Sequence, residues 1–211
     1  MKSMCYVDGF NLYHAIDDLG LHHYKWVDLR KLCEVFCPAN LSRVYYFSAI
    51  ATWRQAESAR HKEYIKALRS SGVICVLGKF KQKDRECFNC KRKWKDHEEK
   101  ETDVNIALHI LRDAFKDRFE KAIIISGDSD LAPAIRMVRG EFPRKRIKVI
   151  APLGRLPSYE LVQAAGGRGH GGAIKNVHIE RTLFPRIVRD PTGRPVAARP
   201  VKYDPPRDEP A

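Results

Sequence analysis

Short, nearly continuous apolar runs recur along the chain at residues 3–7, 43–50, 73–80, 121–126 and 146–151, each the right length for a strand. Their apolar residues follow one another rather than alternate, as in strands covered on both faces. Helical periodicity fills the intervals at 28–36, 54–70, 102–119 and 129–140, with a shorter helix expected at 158–165. Strand–helix alternation of this kind predicts an α/β sandwich, with a central, mostly parallel five-stranded sheet flanked by helices. In such sheets a ligand sits beyond the carboxyl ends of the strands, near the point where strand order reverses. Acidic residues stand at two such ends: Asp8 after the first run, and Asp128 and Asp130 after the fourth.

The pattern changes after residue 165. A glycine-rich stretch, 166–172, contains a literal G-x-G-x-x-G from Gly167 to Gly172. It follows no strand that opens a βαβ unit, so it reads as a flexible linker rather than a dinucleotide site. Seven of the 12 prolines fall in residues 185–211, which predicts an extended or disordered Pro/Arg-rich tail. The expected organisation is a catalytic-type domain over 1–165, with a linker and tail over 166–211.

Composition adds two things. The 211 residues carry a net charge of +13, which favours a polyanionic partner because each cation near a phosphate releases condensed counterions. No signal-peptide pattern opens the chain and no apolar run reaches the length of a membrane span. The six cysteines then read as reduced thiols of a cytoplasmic protein.

The carboxylates carry the chemistry. In Tyr6-Val7-Asp8-Gly9-Phe10-Asn11, Gly9 permits a sharp turn and Asn11 opens the next helix beside Asp8. Asp103 shares a helical stripe with Ile106, Ala107, Ile110 and Ala114, so it leans inward. Taken singly, Asp103 can serve a helix N-terminus and Asp130 can cap the helix after it. Brought to one point, the four aspartates repel one another and lose hydration, and a hard divalent cation bound through oxygen is the usual compensation. Such a cation, Mg²⁺ or Mn²⁺, suits phosphodiester hydrolysis. A covalent route has no support: G-x-S-x-G and a Walker loop are absent, and Phe10 stands where a dehalogenase-like phosphatase needs a second aspartate.

Val-Asp-Gly-Phe-Asn at 7–11, Glu-Thr-Asp-Val-Asn at 101–105 and Ser-Gly-Asp-Ser-Asp-Leu at 126–131 resemble the motifs of the NYN domain family, one of the PIN-like nucleases. The resemblance spans roughly residues 4–150, in the family's order. It implies a Rossmann-like PIN/NYN sandwich with a metal-held acidic pocket that commonly cuts RNA. On that similarity Asp8, Asp103, Asp128 and Asp130 bind metal and act in catalysis, and Asn11 orients the scissile phosphate or a metal-bound water. The Gly-rich stretch and the tail match nothing in the family's pattern. An RNA-binding adaptor without turnover and a DNA-processing nuclease are the alternative readings.

A basic insertion spans 79–100. Residues 79–95 hold eight Lys or Arg against two acids, with Phe80, Phe88 and Trp94 interleaved. Cations for phosphates and aromatic faces for bases suit single-stranded RNA, through Lys81, Lys83, Arg85, Lys91, Arg92, Lys93 and Trp94. A solvated hairpin with its aromatics packed beneath is the plainer reading. Cys87-x2-Cys90 with His97 offers three Zn²⁺ ligands, one short of a structural site, so a thiol-bearing turn is the stronger expectation. A homo-oligomer or a protein partner bound through the tail is the remaining partner expectation.

Overall fold

The computed structural model describes residues 2–38 and 40–206. Its centre is a six-stranded sheet whose neighbouring strands all pair in parallel. In chain order the strands are β1 (Ser3–Asp8), β2 (Leu41–Ser48), β3 (Ile74–Leu77), β6 (Lys121–Ile125), β7 (Arg146–Ala151) and β8 (Gly171–Ala173). The antiparallel hairpin of β4 (Lys79–Glu86) and β5 (Lys93–Lys100) stands apart from that sheet.

Spatial order across the sheet is β3-β2-β1-β6-β7-β8. The chain therefore builds outward from β1 on one side, then returns to β6 and builds outward on the other. Helices α1 (Gly9–Asp18), α2 (Leu29–Phe36) and α3 (Gln55–Ser70) precede the hairpin; α4 (Thr102–Phe115), α5 (Ala132–Glu141), α6 (Tyr159–Ala165) and α7 (Asn176–Glu180) follow it.

Alternate residues of the central strands feed two cores. Cys5, Val7, Ile123 and Ile125 pack with α1, α2 and α3 through residues such as Leu12, Leu32 and Leu68. Met4, Tyr6, Ala122 and Ile124 pack with α4, α5 and α6 through Ile106, Ile135 and Leu161. Burial on both faces is why the sequence shows continuous apolar runs there. Among the described residues no helix is long and apolar enough to cross a membrane.

Three expectations need correction. The sheet has a sixth strand, because the Gly-rich stretch supplies β8 rather than a flexible linker, pairing Gly171 with Val149 and Gly172 with Ile150. A side chain at Gly172 would meet Ile150 Cδ1 at 2.9 Å, so glycine here serves close approach, not mobility. The run at 73–80 divides at Gly78, whose N–H donates to the Ser48 carbonyl at 2.9 Å as the chain leaves the sheet for β4.

The tail is also structured over 185–206. It forms the β9 (Ile187–Arg189) and β10 (Pro195–Ala198) hairpin and a one-turn 3₁₀ helix, Val201–Tyr203. Val188, Ala197 and Tyr203 are buried in the core with α1, α2 and α3, and Ala198 N–H donates to Glu63 Oε1 at 2.9 Å. A few apolar anchors spaced among prolines and arginines suffice to dock it, and composition alone hides them. The last five positions of the expected tail, 207–211, lie outside the described residues.

Candidate functional site

The sheet reverses its building direction between β1 and β6, which are hydrogen-bonded neighbours. The carboxyl ends of these two strands are therefore the switch point at which open α/β sheets bind ligands. Asp8 is the last residue of β1, and Ser126-Gly127-Asp128-Ser129-Asp130 follows β6.

Asp8 is buried and already bonded. Its Oδ1 accepts the Asn11 N–H at 2.9 Å, capping α1. Its Oδ2 accepts the Ser126 hydroxyl at 2.8 Å. Gly9 has to be glycine: a Cβ there would lie 2.5 Å from Tyr46 Cε2 and 2.6 Å from the Phe47 carbonyl oxygen. Asn11 Oδ1 accepts the Gly127 N–H at 2.9 Å, tying the first turn of α1 to the loop after β6 and leaving its Nδ2 as a donor.

The same wiring continues into that loop. Ser126 Oγ accepts the Asp128 N–H at 3.0 Å, and Asp128 Oδ1 accepts the Asp130 N–H at 2.9 Å. Asp128 is thus the residue that caps the next turn, while Asp130 is exposed and α5 has no side-chain cap. Ser126 joins Asp8 to Asp128, a positioning role that its place in the Ser-Gly-Asp-Ser-Asp motif hinted at but did not specify.

Electrostatics shows that the aspartates share one region. Burial pushes the Asp8 carboxyl up to about 6; the Asn11 and Ser126 donors oppose this, and the Asp103 and Asp128 charges add to it. Asp103, in the first turn of α4, is also pushed up to about 6, by desolvation and then by Asp128, Glu99 and Asp130. Glu99 was not foreseen. It is the penultimate residue of β5 and accepts the Thr102 N–H at 3.1 Å, which holds the start of α4.

The donor set is all oxygen, the set that a hard divalent cation takes. It is a loose arrangement rather than a closed cage, since among the described residues no three His, Cys, Asp or Glu side chains form a ready-made ligand group. Carboxylates without a countercharge stand off from one another.

A stability test follows from Asp8. Its value in the folded protein lies above the ordinary 3.8. The penalty for ionising it is therefore absent below about pH 4 and complete above about pH 6. Asp8→Asn is expected to stabilise the metal-free protein at pH 8 by roughly 1–3 kcal/mol and to leave it unchanged near pH 4. Thermal melts of both proteins across that range check it, and a gain of equal size at both ends would contradict the burial argument.

The basic insertion is the β4–β5 hairpin, and its charge is more balanced than residues 79–95 suggest. Lys83 faces Glu98 at 3.7 Å, Arg85 faces Asp96 at 3.4 Å, and Lys91 and Lys93 share Glu86 at 3.9 and 3.6 Å. Lys81 lies opposite Glu98 in the register, and Arg92 is exposed near the tip. Trp94 is half-exposed and Phe88 is 87% exposed, whereas Phe80 packs edge-on against Phe10 and Trp53. Cys87 and Cys90 occupy the tip, where the Cys90 N–H, the Cys90 thiol and the Asn89 N–H hold the Cys87 thiol below its usual value. His97 does not join them: it pairs with Gln82 further down the hairpin and stacks on Trp53 at 3.7 Å between ring centroids.

Comparison with known proteins agrees with this architecture. The chain is 26% identical to 6-hydroxy-3-succinoylpyridine 3-monooxygenase HspA of Pseudomonas putida, over 92% of this chain and 74% of that protein. A crystal structure of a Vibrio parahaemolyticus protein of unknown function superposes with a TM-score of 0.54 at 17% identity, over 87% of this chain and 96% of that one. That second likeness is one of fold. The NYN domain profile matches residues 2–167. The chain belongs to the NYN domain family, within the PIN-like nuclease superfamily.

Proposed function

We propose that this protein is a divalent-metal-dependent ribonuclease that hydrolyses phosphodiester bonds in single-stranded RNA in the cytoplasm. The observation that carries the reading is the meeting of Asp8 and Asp128 at the switch point of the sheet, with Asp103 and Asp130 raising the local negative charge. Asp8, Asp103, Asp128 and Asp130 would hold Mg²⁺ or Mn²⁺. When bound, such an ion neutralises a phosphate oxygen and lowers the pKa of an attacking water.

The chain's own groups do the rest. Ser126 and the Asn11 backbone fix both oxygens of Asp8, so its carboxylate meets the substrate already oriented. Asn11 is anchored through Oδ1 to Gly127, and its Nδ2 donates to a phosphate oxygen. Glu99 sets the start of α4 and with it Asp103. A binding module gains nothing from carboxylates turned toward phosphates, which favours the enzyme over a silent adaptor.

Metal binding tests the reading separately from turnover. Mn²⁺ is expected to raise the melting temperature of the wild-type chain and to leave that of Asp128→Ala unchanged. Equal shifts in both proteins would remove Asp128 from the ligand set.

The hairpin cations would steer the phosphodiester chain. Replacing Lys91, Arg92 and Lys93 together by Gln is expected to weaken RNA binding and to flatten its dependence on salt. An unchanged slope of log K against log salt would remove the hairpin tip from the substrate path.

The Pseudomonas relative favours a second reading. That protein is named for an activity on a pyridine, and it aligns with 92% of this chain, which supports a role in transforming a small N-heteroaromatic compound. Cleavage of RNA lost in Asp128→Ala separates the first reading from this one.

A further inference from the structure

A cavity of about 280 Å³ lies next to the acidic residues, between α1, the end of β2, α3 and the base of the β4–β5 hairpin. Two elements link it to the carboxylates. Gly9 and Phe10, which follow Asp8 directly, form part of its wall. On β5, His97 lines the cavity while Glu99, two residues on and so on the same face of the strand, acts on Asp103.

The wall is aromatic. Trp53 and His97 stack with ring centroids 3.7 Å apart and planes 11° from parallel. Phe80 stands edge-on to both Trp53 and Phe10, at 4.7 and 5.6 Å. Trp53 is 38% exposed, so the stack meets solvent rather than closing a core. Polar side chains share the lining with these rings. His61 shares a 3.1 Å hydrogen bond with the Tyr46 hydroxyl, and Ser48 lies at the end of β2. Burial lowers His61 to about 4, so near neutral pH its ring is uncharged, with Nε2 engaged by the Tyr46 hydroxyl. Arg54 and Lys25 add two cations to the lining and Glu57 one carboxylate.

A flat aromatic platform, an uncharged His61–Tyr46 polar pair and nearby cations match a heterocyclic base carrying a phosphate. They suit neither an acyl chain, which has no use for the polar pair, nor a peptide strand, which would need a free sheet edge. We propose that this cavity takes one base of the bound nucleic acid, the one flanking the phosphate held at the carboxylates. The proposal rests on the nuclease reading for the identity of its ligand. It adds that Trp53, His97 and Phe10 form a base subsite, and that recognition of a base is coupled to placement of the phosphate.

The test is binding by the full chain in EDTA, which does not depend on turnover. A fluorescein-labelled short oligoribonucleotide is compared with the same backbone stripped of every base. The wild-type chain is expected to prefer the base-bearing strand by roughly ten-fold, the scale of one stacked base. Trp53→Ala should lose most of that preference, Trp53→Tyr should restore it, and Tyr159→Ala, an exposed aromatic on α6 outside the cavity lining, should keep it. His97→Ala removes the other ring of the stack and serves as the second variant if Trp53→Ala does not fold. An undiminished preference in both Trp53→Ala and His97→Ala would overturn the base subsite and leave the nuclease reading untouched. If neither strand binds while a small hydroxypyridine binds the wild-type chain but not Trp53→Ala, both are overturned and the cavity belongs to a small-molecule substrate.

Discussion

Asp128→Ala is expected to reduce cleavage of single-stranded RNA by roughly a thousand-fold or more while the protein stays folded. The rate effect follows from what the carboxylate would hold. Losing a ligand of a charge-neutralising cation removes several kcal/mol of transition-state stabilisation, and each 1.4 kcal/mol is about ten-fold in rate. The fold effect is small because two consequences oppose each other. The substitution removes the acceptor for the Asp130 N–H, a cap worth about 1 kcal/mol. It also removes a negative charge that presses on both Asp8 and Asp103. Asp103→Asn should lose activity comparably, and Asp8→Asn should combine that loss with the gain in stability described above. Wild-type rates from Asp128→Ala, in preparations shown free of contaminating nuclease, would sink the assignment.

Phe184→Ala is expected to destabilise the chain by roughly 3–5 kcal/mol, lowering the melting temperature by on the order of 10 °C. Phe184 is buried and packs on Trp26 at 5.9 Å between ring centroids, and Phe184 N–H donates to the Trp26 carbonyl at 3.0 Å. The Trp26 indole N–H in turn donates to the Pro185 carbonyl at 2.9 Å. Deleting 185–211 should cost more, since it strips Val188, Ala197 and Tyr203 from the core and leaves the Trp26 donor without its acceptor. Melting of both variants by circular dichroism checks this. Unchanged melting would mean that the segment after the family match is an appendage, as its composition first suggests.

The contrast between these two regions shows what a sequence makes legible. The runs at 3–7, 121–126 and 146–151 were readable because strands buried on both faces cannot be other than apolar, and β1, β6 and β7 fall there. Asp8 and Asp128 were readable because a strand end at the switch point is a fixed place in this kind of sheet. Glu99 and Ser126 were less so: Glu99 acts through a short loop to Thr102, and Ser126, although inside the Ser-Gly-Asp-Ser-Asp motif, acts through Asp8, distant in sequence. Gly171 and Gly172 misled because glycine marks flexibility and close packing equally, and only the presence of Ile150 and Val162 against them decides which. The hairpin's charge is balanced in part from outside residues 79–95: the partners of Lys83 and Arg85 lie across the turn, in β5. The aromatic cavity was invisible for a similar reason, as its walls come from α1, β2, α3 and the hairpin, spread from Gly9 to Tyr203.

The Asp8 network also explains why an acidic site can persist in a stable fold. A buried carboxylate is costly when bare, yet here it caps α1 and receives the Ser126 hydroxyl, so part of the desolvation is offset locally. What remains is the upward push on Asp8 and Asp103. A cation binding there would relieve that repulsion, so folding energy withheld in the free protein reappears as metal affinity.

The most direct measurement is cleavage of a labelled single-stranded RNA by the wild-type chain in Mg²⁺, in Mn²⁺ and in EDTA, with single-stranded DNA and Asp128→Ala alongside. The account predicts cutting of RNA in either metal, none in EDTA, and none by the variant. Cutting that survives EDTA or the Asp128 substitution, or no cutting by the wild-type chain in either metal, would contradict it.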